Sequence, residues 1–213
     1  MLAQFHLGEF FSSMTALDRA LFLAINHGLH SGFDNYWIGY ATWLGNGWFG
    51  FPVAIVVLYF LDRDYASFRR NFLLLAIAGI VGGVALNVLK QVFHAPRPLT
   101  VFAPEIAAGR VYVNVMFGNL YWNSFPSGHS QTAFTLATVL AWAGRKSSTI
   151  HWPRVTIIFA VASLVGISRI YCGAHFPTDV IAGAILGGGS AWICCYSGER
   201  WRARRLSLIH SDL

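Results

Sequence analysis

The stretch Phe72–Phe93 limits the fold more than any other part of this chain. It runs 22 residues with Lys90 as its single charge. At about 1.5 Å per residue a helix of that length crosses the roughly 30 Å hydrocarbon core of a bilayer. Lipid offers the backbone no hydrogen bonds, so such a segment must be a helix or part of a closed barrel. Four more apolar runs recur, Trp48–Leu61, His129–Ala143, Val155–Ile170 and Thr178–Tyr196. Together they predict an all-α, polytopic transmembrane helix bundle with five spans. Composition agrees, with 55% hydrophobic residues, 11% charged residues and a mean hydropathy of +0.52.

The net charge of +6 invites a nucleic-acid reading, which location removes. Ten of the fifteen Lys and Arg fall in three segments, 62–70, 145–154 and the tail from Glu199. The span order puts all three on one side, the positive-inside pattern of a membrane protein. That side is expected to be cytoplasmic and to hold the basic tail 199–213. The other five are Arg19, Lys90, Arg97, Arg110 and Arg169.

Residues 1–13 are expected at the membrane interface, within an N-terminal region of interfacial helices reaching residue 46. The start lacks the basic n-region of a cleaved signal, so the first membrane helix is expected to act as its own insertion signal. Thr15 and Asp18 stand in a capping-box-like relation and predict a helix start. The first span is expected to kink at Pro52. Gly79 with Gly83, and Gly183 with Gly187, have the four-residue interval that lets helices approach closely. Asn87 reads as an interhelical hydrogen-bond partner. Cys172, Cys194 and Cys195 read as small buried residues. The histidines show no paired metal-ligand spacing.

Polar chemistry gathers at span ends that this topology places on one face. Lys90, His94 and Arg97-Pro98 close span two. Pro126-Ser127-Gly128-His129 opens span three. Ser168-Arg169 and His175 through Asp179 join spans four and five. Charges near hydrocarbon are costly, and clusters of them suggest a site. Asp179 follows His175 by four residues, so its carboxylate can fold back on the imidazole, fix the tautomer and leave the other nitrogen free to attack. A Ser-Gly pair at a helix N-terminus suits a phosphate. Lys90, Arg97 and Arg169 suit the charge on equatorial phosphoryl oxygens. His129, when protonated, suits proton delivery to a leaving oxygen.

The arrangement Lys-x6-Arg-Pro, Pro-Ser-Gly-His, Ser-Arg-x5-His-x3-Asp resembles the three-part signature of the type 2 phosphatidic acid phosphatase superfamily. That superfamily includes bacterial membrane lipid phosphatases, glucose-6-phosphatase and the vanadium haloperoxidases. The match is complete at Lys90, Arg97, Pro98, Pro126, Ser127, Gly128, His129, Ser168, Arg169, His175 and Asp179. The resemblance implies that His175 is a nucleophile forming a phosphohistidine, with Asp179 as its orienting partner and His129 as general acid. It also implies phosphate contacts from Lys90, Arg97, Ser127, Gly128 and Arg169, with no metal or other cofactor.

The implied activity is hydrolysis of a terminal phosphate from a lipid phosphate or diphosphate. Expected substrates are undecaprenyl diphosphate, phosphatidylglycerol phosphate, phosphatidic acid or a lipid A phosphate. The expected setting is a bacterial inner membrane, with the site facing the periplasm and the C-terminus in the cytoplasm. The lipid and the bilayer are the expected partners, and nucleic acid is not. A lipid phosphotransferase would use the same residues, and a non-catalytic scaffold or lipid carrier is the reading from another class. The long segment between the first two motifs, with Glu105, Arg110, Tyr112, Asn114, Trp122 and Asn123, is expected to contribute to head-group recognition.

Overall fold

The computed structural model describes residues 15–27, 34–62, 64–143 and 152–211. The expected interfacial segment 1–13, His6, His30, His151 and the basic pair Arg145-Lys146 lie outside the described residues. The described residues are nearly all helical and contain no strand, only an isolated bridge between Pro96 and Trp122. In order the helices are α1 (15–27), α2 (Asp34–Ala41), a 3₁₀ turn (Thr42–Gly45), α3 (Gly47–Leu61) and α4 (Tyr65–Phe93). They continue with α5 (Pro98–Val101), α6 (Ala103–Ala107), α7 (Gly128–Ala143), α8 (Trp152–Tyr171) and α9 (Pro177–Ser211).

Short polar side chains start the helices. Asn46 Oδ1 accepts from the Trp48 amide at 3.0 Å, and Asp64 Oδ1 accepts from the Ser67 amide at 2.8 Å. These are N-caps, which satisfy amides that have no partner in the first turn. Left-handed His94 closes α4, its amide donating to the Lys90 carbonyl at 3.0 Å.

α7 occupies the centre, packed against α3, α4, α8 and α9. One apolar cluster joins Leu58 of α3, Leu75 of α4, Val139 of α7 and Ala191 of α9, and a second joins Ala133 and Ala137 to Ala162 and Val165 of α8. The outer faces stay apolar: Ile80 and Val88 on α4, and Ile181 and Ile185 on α9, are exposed. A stripe of that kind belongs against lipid, and the chain is an integral membrane protein.

Some expectations are corrected by the structure, and the count of five spans is not confirmed. By length and composition three described helices can cross a membrane, α4, α8 and α9 up to Arg205, or four if the bent pair Trp37–Gly45 and Gly47–Leu61 is one span. α7 has only 16 residues, so five spans are not reached by this measure. The 78° bend of that pair falls at the Asn46 cap, with Pro52 inside α3. Thr15 already lies within α1, and the Asp18 carboxylate turns away from its own helix to α9. Asn87 donates to the Gly83 carbonyl of its own helix at 2.8 Å rather than across an interface. Gly83 faces open space; Gly79 meets Phe51 and Gly82 meets Gln131. The basic segment after Glu199 continues α9 to Ser211.

Candidate active site

The three polar clusters meet at one end of the bundle. α4 and α8 arrive there by their C-termini, and α7 and α9 leave by their N-termini. Hydrogen bonds stitch the clusters together. Arg97 Nη1 donates to the Ala174 carbonyl at 3.0 Å, joining the first motif to the third. The Ser127 amide donates to the Asp179 carbonyl at 2.9 Å, joining the second to the third. Lys90 Nζ and Arg97 Nη2 both donate to the Asn123 carbonyl, at 2.7 and 3.4 Å. Arg97 Nε reaches the Trp122 carbonyl at 2.9 Å.

The cations lie close enough to act on one another, and Lys90, Arg97 and Arg169 all act on the His129 ring. Arg97 and Arg169 act on His175 as well. Asp179 is the acidic group among them. Such an excess of positive charge beside a helix N-terminus suits a multivalent anion.

His175 sits in the turn between α8 and α9 and is 2% exposed. Burial first of all, with the Arg97 and Arg169 charges adding, pushes its imidazole from the ordinary 6.5 down to about 4, although Asp179 opposes this. The ring is therefore neutral near pH 7. Its Nδ1 lies 3.6 Å from Asp179 Oδ2, beyond hydrogen-bond length, and has no other partner. Nδ1 thus faces the carboxylate, which leaves Nε2 as the nitrogen turned from it.

Asp179 Oδ2 is itself held by two donors, Ser124 Oγ at 2.5 Å and the Phe176 amide at 2.9 Å. The second is the return arm of a capping box, with an N3 acid reaching back to the N-cap amide. Arg169 Nη1 donates to Thr42 Oγ1 at 2.7 Å, while its buried Nε lacks a partner. Ser127 is fully buried and accepts from Ser130 Oγ at 3.1 Å. Ser168, although inside the third motif, donates to the Val165 carbonyl of its own helix at 2.6 Å.

Glycines let α9 come this near. A Cβ on Gly183 would lie 2.3 Å from the Ser127 carbonyl oxygen, and one on Gly187 would lie 2.0 Å from that of Gln131. The expected close approach at this pair is present. Beside the site a cavity of about 470 Å³ opens between α1, the end of α4 and the start of α9. Phe93, Val101, Phe125 and Phe176 give it apolar walls, and Asp18, Arg19 and Asp179 give it polar ones.

Ser124, Thr42, Asp18 and Asn26 are not among the site residues expected from the sequence. In the long segment, Asn123 contributes its carbonyl to Lys90 and Arg97, and the Asn114 amide donates to Asn26 Oδ1 at 2.8 Å. Among the described residues no three His, Cys, Asp or Glu cluster to hold a metal.

The family model described as the PAP2 superfamily matches residues 69–203. The chain belongs to the PAP2 superfamily. Among PAP2 relatives, it is 48% identical over 153 residues to phosphatidylglycerophosphatase B of Bacillus subtilis, covering 68% of this chain and 66% of that one. It is 38% identical over 158 residues to the bacitracin transport permease protein BcrC of Bacillus licheniformis, covering 74% and 68%. It spans about half the length of several other curated relatives. The crystal structure of Aquifex aeolicus LpxE superposes with a TM-score of 0.64 at 33% identity, over 82% of this chain and 92% of that one. The helical bundle is thus the PAP2 fold.

Proposed function

We propose that this protein is an integral-membrane phosphatase that removes the terminal phosphate of a lipid phosphate or diphosphate through a phosphohistidine on His175. The observation that carries the reading is the convergence of Arg97 and Arg169 on a neutral, buried imidazole whose Nδ1 faces Asp179, with Lys90 sharing the Asn123 carbonyl with Arg97.

In the first step the terminal phosphoryl group lies among the three cations and the Ser127–Gly128 start of α7. His175 Nε2 attacks phosphorus, and the bond from phosphorus to the lipid oxygen breaks. The leaving oxygen takes a proton from His129. A bound phosphate adds negative charge to a strongly cationic site and so favours the protonated imidazole that this step needs. As phosphorus bonds to Nε2, positive charge grows on the His175 ring, and Asp179 stabilises it from the Nδ1 side. In the second step His129 takes a proton from water, whose oxygen attacks phosphorus. The P–N bond breaks and inorganic phosphate departs. Positioning and charge stabilisation do most of the work in such transfers.

The apolar cavity beside Asp179 suits a lipid chain entering from the bilayer. Candidate lipids are undecaprenyl diphosphate, phosphatidylglycerol phosphate, phosphatidic acid and lipid A phosphates. The basic ends of α4, α8 and α9 face away from the site, which supports a cytoplasmic C-terminus and a site on the outer side of a bacterial inner membrane.

The test is phosphate release from these four lipids by detergent-purified protein in EDTA. The reading expects metal-independent turnover of at least one lipid and loss of nearly all of it in His175→Ala. Equal rates for wild type and variant would overturn it. Transfer of labelled phosphate to an added acceptor lipid instead of water would favour the phosphotransferase.

A further inference from the structure

The turn carrying His175, residues 172–176, bonds the Arg169 and Ile170 carbonyls of α8 through its own Ala174 and Gly173 amides, but each flanking helix end also takes a partner from outside the turn. α9 begins after Phe176, whose side chain has no oxygen to accept from the first amides of the helix. α8 ends at Tyr171, whose carbonyl faces out of the helix with no later turn to bond it. Both deficits are met by α1, more than 140 residues earlier in the chain.

Asp18 Oδ1 accepts from the Thr178 amide at 3.0 Å, and its Oδ2 accepts from Thr178 Oγ1 at 2.7 Å. This is the N-cap acceptor of α9, supplied by a distant helix. Asn26 Nδ2 donates to the Tyr171 carbonyl at 2.7 Å and to the Ile170 carbonyl at 3.4 Å, and Asn26 is fully buried. Midway between them Phe22, also fully buried, packs on Phe176 with ring centroids 5.3 Å apart.

Positions 18, 22 and 26 recur every four residues, so they lie along one face of α1. That face covers the turn from end to end: Asp18 on Thr178, Phe22 on Phe176, Asn26 on Tyr171. Asp179 is bonded to the Phe176 amide and Ser124, so a start of α9 held in place also holds the carboxylate facing His175.

We propose that α1 is a positioning clamp for the nucleophile turn, with Asp18, Phe22 and Asn26 as its three contacts, a role that rests on the reading of His175 as the phosphoryl acceptor. The clamp leaves phosphate binding to the cations and sets the aim of the imidazole, so it governs kcat more than KM.

The experiment compares wild type, Asp18→Ala, Asp18→Asn and Leu17→Ala in detergent, measuring kcat per folded molecule, KM and thermal unfolding. Leu17, on the same helix, is 61% exposed and should behave as wild type. Asp18→Ala should lower kcat about 10- to 100-fold with KM little changed, as expected when a reacting group is misplaced by a fraction of an ångström to an ångström. Asp18→Asn should restore most of the rate, because its amide oxygen still accepts from the Thr178 amide and its NH₂ can donate to the hydroxyl.

Wild-type kcat in Asp18→Ala would overturn the clamp, as would failure of Asp18→Asn to recover activity. If Asp18→Ala does not fold, Thr178→Val decides. It keeps the backbone bond and loses the hydroxyl, so kcat should drop and Thr178→Ser should recover it, whereas no drop overturns the clamp. Active wild type with inactive His175→Ala and unimpaired Asp18→Ala would sink the clamp alone. A wild type that releases no phosphate would sink the functional reading, and the clamp's role with it.

Discussion

The Ser127 amide donates to the Asp179 carbonyl at 2.9 Å, so the start of α7 is bonded to the start of α9. One bond sets the start of α7 relative to the acid that faces His175. It needs the two backbones nearly in contact, and Gly183 and Gly187 supply the room.

Substitutions at helical glycines should therefore divide sharply. Gly187→Ala drives a methyl into the Gln131 backbone and should cost at least the roughly 1–3 kcal/mol of overpacking, with loss of activity. Gly83→Ala meets nothing within 4 Å and should be neutral or stabilising by about 0.5–1 kcal/mol, since alanine is the better helix former. Thermal unfolding in one detergent checks both, and equal effects would contradict the packing described.

Ser124 is fully buried and gives its hydroxyl proton to Asp179 Oδ2. Ser124→Ala removes one of two donors from a carboxylate within the site. The expected result is a fall of about 10-fold in kcat with KM nearly unchanged, from a lost charge-assisted bond of about 1.5–3 kcal/mol. Steady-state kinetics with one lipid checks it. A rise in KM alone would place Ser124 in binding instead.

The His175 imidazole, lowered to about 4 by burial, fixes a sign for pH dependence. Above that value the ring is neutral and can attack; below it the proton blocks Nε2. Once the substrate's own phosphate ionisation is divided out, the His175 limb of kcat/KM should fall near pH 4, not 6.5. Stability follows the same direction. Between 6.5 and about 4 the unfolded chain binds a proton that the folded chain refuses, so this contribution is full above 6.5 and is lost as pH falls through the window. A His175 limb near 6.5 would contradict the burial argument.

Much of the site was legible because each motif is short. Lys90 and Arg97, Pro126 through His129, and Arg169 through Asp179 each keep their chemistry within a few residues of a span end, where charge stands out against apolar sequence. The supports did not show, because they come from far along the chain. Ser124 is 55 residues from Asp179, Thr42 is 127 from Arg169, and Asp18 is 160 from Thr178. Nothing local marks an aspartate or an asparagine as the cap of a distant helix. A capping-box pattern is local, so the sequence points Asp18 at its own helix. The site-side ends of the spans were legible, at Phe93 for α4 and within one residue of Tyr171 for α8. Gly79 and Gly83 shared a spacing, but only the three-dimensional packing shows that Gly82 takes the second contact.

The central claim is that His175 becomes phosphorylated. Wild-type protein mixed with lipid carrying a labelled terminal phosphate, quenched in alkali within one turnover, should carry the label. Phosphohistidine survives alkali and is lost in acid, and peptide mapping should place it on His175. A turning-over enzyme that never carries label, or carries it on another residue, would contradict the account.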